Sequence, residues 1–414
     1  MKKKIIGILV MTLLVGISIS PIIGSIEENY LISVKMNDEW EKTYGSSGND
    51  AGDSIWQTLD GGFFIVGETT SKGAGNRDVW LIKTDSEGNI EWEKTFGGEY
   101  YDRGKHGLQT SDGGFIIIGY TASYGSGGND AWLIKTDSNG NIKWDETYGG
   151  EANEEGVCVQ QTIDGGYIIA GQTSSYGAGR SDAWIIKTDS NGNLIWEKTF
   201  GEELGDLAEW IEQTSDGGYI FAEAFGIYSD GFLKYNIYSD LWLVKINEKG
   251  DKIWEQFFDG GRFNLGHAVK QTQDEGYIMT GWTNAGRLSG GDVWLIKTNS
   301  LGDIEWEKPI GKSYLIESAI GLDLTDDGGF IMTGCIGLIT GWPAKGMIAG
   351  VPLISKTLVI KNDSNGDIDW QENCGPGNCM GRIVKQCNDG GYIVIGNTGN
   401  HHNTEDLLLI KINP

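Results

Sequence analysis

The chain has 414 residues, 39% of them hydrophobic and 22% charged, with a formal net charge of −26. That apolar content suits a sizeable core and excludes a disordered chain, while the length admits two or three ordinary domains or one large all-β domain. The acidic balance excludes a nucleic-acid-binding face, which needs clustered Lys and Arg, and reads as a solubility device.

Residues 1–25 place Lys2, Lys3 and Lys4 before an apolar run that starts at Ile5. This is the layout of a secretory signal peptide, or of an uncleaved N-terminal anchor if the run extends to Ile23. Export follows, to the medium or the cell surface, with membrane contact only through this segment. Residues 26–36 read as a linker and 37–414 as the folded unit, expected to be monomeric.

The folded part is a repeat. DGG recurs at Asp60, Asp112, Asp164, Asp216, Asp327 and Asp389, with DEG at Asp274, and the first three intervals are each 52 residues. The third copy, QTIDGGYIIAGQTSSYGAGRSDAWIIKTDSNGNLIWEKTFG over 161–201, contains three strand-like runs, and the residues before it supply a fourth. Short Gly-bearing turns join strands one and two and strands three and four, as hairpins require. Four antiparallel strands in each of seven copies is the arithmetic of an all-β, seven-bladed β-propeller.

The ends of the chain fit this count. The last copy stops after its third strand at LLLIKINP, and the missing fourth appears in front as NDEWEKTYG, residues 37–45. Its Trp40 matches Trp92, Trp144, Trp196, Trp254, Trp306 and Trp370. An N-terminal strand is therefore expected to complete the last blade and close the ring.

The turn Asp137-Ser138-Asn139-Gly140-Asn141, echoed from Asp85, Asp189, Asn247, Asn299 and Asp363, looks like a calcium loop. An EF-hand loop needs Gly at position six and Glu at twelve. Here Gly stands at position four and Tyr148 at twelve, so a type I turn closed by a left-handed Gly is expected and no metal. In the DGG turns both glycines, as in Gly165 and Gly166, are expected at positive φ, and seven Asp would make that face acidic. Asp78, Asp130, Asp182, Asp240, Asp292 and Asp406, and the repeated Lys83, Lys135, Lys187, Lys245, Lys297, Lys361 and Lys411, read as structural positions.

Function is sought where the repeat breaks. The second-to-third-strand loop of blade four carries Tyr228, Phe232, Tyr235 and Tyr238. Blade six inserts a long apolar loop with Trp342 and Met347, and blade seven carries His401 and His402. Loops this long are usually functional, and these three share one expected face. His106 and His267 read as belonging to fourth-to-first-strand connections on that face, near Glu154, Glu155, Glu203 and Asp206. Cys374 and Cys379 bracket the turn CGPGNC and are candidates for a disulfide.

The repeat DGGYIIxGxT…DxWLIKTDxxGNxxW resembles that of secreted and cell-surface β-propellers of archaea and bacteria, and more distantly quinoprotein-type propellers. The resemblance spans residues 37–414 and implies the fold. It implies no activity, since such propellers serve as enzymes, adhesins and scaffolds. The cofactor and calcium ligands of quinoproteins are not recognisable, so no cofactor is expected. No nucleophile elbow, phosphate loop or zinc motif occurs. The expected function is a non-enzymatic extracellular binding module recognising a protein or glycan through the loop face of blades four, six and seven. The alternatives are a secreted hydrolase or lyase with an acidic/His site at the channel mouth, and a structural module of a cell-envelope complex.

Overall fold

The computed structural model describes residues 38–203, 205–227, 240–260, 264–284, 291–311, 315–338, 355–399 and 405–413. The signal or anchor segment and the linker lie outside them. The described residues form twenty-eight β-strands and no helix.

The third copy shows the unit. Strands Glu154–Gln161, Tyr167–Thr173, Asp182–Thr188 and Leu194–Phe200 pair antiparallel in chain order. Five sheets have this form; a larger sheet joins two such groups through one parallel bridge, Asp50 to Asp406. Second and third strands are buried on both faces, which is why YIIAG and AWII are unbroken apolar runs. Successive sheets stack, the second strand of each unit against the first strand of the next.

The N-terminal strand Asp38–Tyr44 pairs antiparallel with Asp406–Ile412, from Asp38–Ile412 to Tyr44–Leu407, with one register shift between Asp38 and Trp40. The sequence match of Trp40 to the other fourth strands is thereby realised. Each of these tryptophans packs on an aromatic ring of the following unit. Trp92 meets Phe115 at 5.8 Å, Trp144 meets Tyr167 at 6.1 Å, and Trp370 meets Tyr392 at 5.7 Å. Trp40 meets Phe63 of the first unit at 6.1 Å, so the N-terminal strand makes the contact its counterparts make.

The repeated turns are structural. In the Asp137 turn, Gly140 has φ +74° and its N–H donates to the Asp137 carbonyl at 3.1 Å. The Asp137 carboxylate accepts the N–H groups of Asn139 and Asn141, both at 2.9 Å. A Cβ on Gly140 would also sit 2.8 Å from the Trp92 ring, so both conformation and close packing call for glycine.

Three expectations change here. Only the first glycine of each DGG pair is left-handed: Gly165 has φ +81°, while Gly166 is needed because a Cβ there would lie 2.2 Å from the Thr188 carbonyl oxygen. The DGG aspartates do not make a bare acidic face, since each is paired with the buried lysine of its own third strand. The seven distances run from Lys83–Asp60 and Lys135–Asp112 at 3.0 Å, through Lys187–Asp164, Lys245–Asp216 and Lys297–Asp274 at 2.9 Å, to Lys361–Asp327 and Lys411–Asp389 at 2.8 Å. Finally, Cys374 and Cys379 are separate buried thiols, not a disulfide. Cys379 Sγ instead donates to the Pro376 carbonyl at 2.8 Å and accepts the Thr357 N–H at 3.3 Å.

Candidate functional site

The eight loop residues singled out by sequence, Tyr228, Phe232, Tyr235, Tyr238, Trp342, Met347, His401 and His402, all lie outside the described residues. The described residues point instead to the first strands of the units. Side chains from seven of them line one cavity of about 200 Å³: Asp53, Lys105, Val157, Glu209, His267, Ile320 and Arg382, with Glu155 and Trp210 beside them. Each of these strands begins at a fourth-to-first-strand connection, and its antiparallel partner ends there, as Glu154 opposite Thr173 shows. The cavity therefore lies toward the second-to-third-strand connections, away from the DGG turns.

His106 and His267 belong to these strands, Asp102–Gln109 and Asn264–Gln271, and not to connections as expected. The apolar positions of the first strand are broken by Gly and charge, so its bounds do not show in the periodicity. Glu154, Glu155 and Asp206 are strand residues too.

Two ion-pair groups build the cavity wall. Arg103 grips Asp53 with Nη2 at 2.8 Å and Nε at 3.1 Å, and its Nε also lies 3.1 Å from Glu68. Arg77 Nη1 holds the other side of Glu68 at 2.7 Å. Burial works against the Asp53 charge, but Arg103, helped by Arg382 and Lys105, holds its pKa down to about 2. Asp53 is thus an acceptor only. Opposite, His267 Nδ1 and Glu209 Oε2 are 2.6 Å apart. Burial alone would lower the His267 pKa; the Glu209 carboxylate outweighs it through charge and hydrogen bonding, and the pKa is raised.

His106 behaves differently. It is buried, stands edge-on to Trp210 at 5.5 Å, and accepts the Val159 N–H on Nδ1 at 3.5 Å. Burial, with Lys385 and Lys270 nearby, pushes its pKa down to about 3, so it is a neutral core histidine. Further along the same strands, Lys385–Asp323 at 3.2 Å and Lys270–Glu212 at 3.6 Å form a second charged layer. Lys270 lies over the Trp210 ring at 5.2 Å and Lys385 over Trp56 at 5.4 Å. A second cavity, about 240 Å³ at the DGG end, is lined by Asp274 and Lys297, which already pair with each other.

One sequence signal marks this site. Aligned on the first-strand acid or its replacement, the fourth position reads Asp53, Lys105, Val157, Glu209, His267, Ile320 and Arg382. The DGG Asp and the third-strand Lys repeat in every unit, whereas this position never repeats. The next position diverges as well, from Ser54 through Cys158 to Ile383, but only the fourth lines the cavity in all seven units, while the fifth reaches it at His106, Trp210 and Ile383. Among the described residues no group of three or more His, Cys, Asp and Glu is placed to hold a metal.

No family model and no curated protein sequence matches this chain. Its fold is similar to several solved structures. "YCF48 bound to D1 peptide" aligns with TM-score 0.50 and 10% identity over 92% of this chain and 99% of that one. A polysaccharide lyase, PL25 ulvan lyase bound to -[GlcA(1-4)Rha3S]-, aligns with TM-score 0.54 and 10% identity over 88% and 95%. BBS1N in complex with ARL6DN aligns with TM-score 0.51 and 8% identity over 92% and 98%. At such identities the likeness concerns the fold alone, and that fold is the β-propeller.

Proposed function

We propose that the chain is an exported, seven-bladed propeller, closed by its N-terminal strand, that binds a protein or glycan ligand at the mouth of its axial cavity. The second-to-third-strand loops of blades four, six and seven would add the outer contacts. The carrying observation is the divergence of the fourth first-strand position, where seven strands bring seven different arrangements of charge and bulk to one cavity. Concave sites with a few convergent polar groups are the usual ligand sites of such scaffolds. Structural neighbours include a peptide-bound protein and a saccharide-bound lyase, so the fold admits either ligand class.

Val157→Trp fills the cavity from a half-buried wall position. In a glycan-array and protein-binding screen it should reduce capture at least tenfold with an unchanged melting temperature. Capture that survives the plug removes the cavity from the proposal. Removal of residues 339–352 tests the blade-six loop in the same screen.

A second reading, a secreted lyase or hydrolase, is favoured by the 2.6 Å contact of His267 with Glu209 in the same open cavity as Lys105. Proton transfer needs this degree of approach. If it holds, His267→Gln abolishes turnover of an acidic oligosaccharide followed by release of reducing ends, and an inactive wild-type protein ends it.

A further inference from the structure

Ion pairing in the cavity leaves a cationic remainder. Arg103 takes up the charge of Asp53, and Arg77 that of Glu68, while His267 and Glu209 satisfy each other. Lys105 and Arg382 remain, against one further carboxylate, Glu155. Lys105 makes no hydrogen bond and no ion pair of 4.0 Å or less among the described residues, and it lines the cavity. Arg382 reaches Asp53 only at 3.8 Å, and its Nε is buried without a hydrogen-bond partner. A buried guanidinium N–H with nothing to donate to is costly. Burial and the neighbouring Arg103 push the Lys105 pKa down, so an anion placed between these groups would relieve both.

Resting on the reading that the ligand enters this cavity, we propose that Lys105 and Arg382 form a carboxylate subsite for one uronic acid residue of an acidic polysaccharide. The guanidinium offers the planar fork that a carboxylate matches, and the ammonium adds a point charge. The surroundings narrow the class. Glu155 and Glu209 are acceptors suited to sugar hydroxyls. The same two carboxylates, in a chain of net charge −26, repel a second anionic group, which disfavours densely sulfated chains. A cavity of about 200 Å³ is below the ~300–1,000 Å³ of pockets that enclose a whole ligand, and fits one residue of a longer chain.

The test is calorimetric titration of the full exported chain with tetragalacturonate, with neutral maltotetraose, and with a tetrapeptide bearing a free C-terminal carboxylate. Tetragalacturonate should bind at least tenfold more tightly than the other two. Lys105→Met and Arg382→Met should each weaken it at least tenfold, with Arg382→Lys recovering part of the loss. Equal binding of the neutral sugar, preference for the peptide, indifference to both charge removals, or no binding of tetragalacturonate each overturns the subsite. The cavity reading fails separately: binding that persists in Val157→Trp defeats both. A ligand lost in Val157→Trp but unmoved by the charge variants defeats the carboxylate assignment alone.

Discussion

Asp78 and Asp102 come from neighbouring units and meet at Gly97, where a Cβ would lie 2.1 Å from Asp78 Oδ1 and 2.7 Å from Asp102 Oδ2. Asp130 with Glu154, Asp182 with Asp206, Asp292 with Glu317 and Asp406 with Asp50 repeat the arrangement at other junctions, around Gly149, Gly201, Gly311 and Gly45. Burial, and then the facing carboxylate, raises the pKa of Asp78, Asp130, Asp182 and Asp406. A raised folded pKa stabilises most below the unfolded value near 4, and that stabilisation is lost as pH rises through the folded value. The DGG aspartates act oppositely: Asp164, Asp274 and Asp327 are held near 2, against burial, by hydrogen bonds from the turn Thr, the buried Lys and the backbone. Their contribution is present above about pH 4 and fades as pH falls toward 2. At the Asp240 junction Asn264 stands where other units place the second acid and hydrogen-bonds Asp240, yet burial and then Asp259 still raise the Asp240 pKa. Asp78→Asn should therefore raise the melting temperature at pH 7, with the gain vanishing near pH 3.5. Calorimetric melts across that range check this, and a gain independent of pH would contradict the carboxylate-pair account.

At the scale of elements, the strand Asp38–Tyr44 decides whether the last unit has a bare edge. It covers Asp406–Ile412 along its length, stacks Trp40 on Phe63, and donates the Tyr44 hydroxyl to the Gly88 carbonyl at 2.6 Å. Burying Tyr44 and part of Trp40 contributes about 2–5 kcal/mol, at about 1.5–3 kcal/mol for each fully buried large side chain. A chain beginning at residue 46 should lose that much in urea denaturation relative to one beginning at residue 37. It should also self-associate in sedimentation velocity through the uncovered edge. An unchanged, monomeric truncation would mean that this strand does not protect the edge of the last sheet. The element pattern was legible in the sequence because each hairpin carries its own turn chemistry: Gly140 and Gly165 announce left-handed positions locally. The lysine-to-aspartate pairing was not, since Lys187 and Asp164 are brought together by strand register, which the residue types alone do not state.

For the whole molecule, the local pairs are balanced but the net charge of −26 is not. Raising ionic strength from about 0.01 M to about 0.1 M shortens the screening length from about 30 Å to about 10 Å, which damps long-range self-repulsion. The melting temperature should rise by a few degrees over this range; a fall would mean that the Lys–Asp pairs outweigh the long-range term. The sequence by itself determined the repeat, the four-strand unit, its turns and the terminal strand that completes the last sheet. These rest on interactions between near neighbours or between identical copies, and periodicity makes them visible. Only the tertiary structure decided that Asp53, Lys105, Glu209, His267 and Arg382, which lie as far as 329 residues apart, line one cavity, or that carboxylates of adjacent units face each other. The physical reason is convergence: each first strand presents a side chain to a common cavity, so the site is assembled from residues of separate copies and no local stretch contains it.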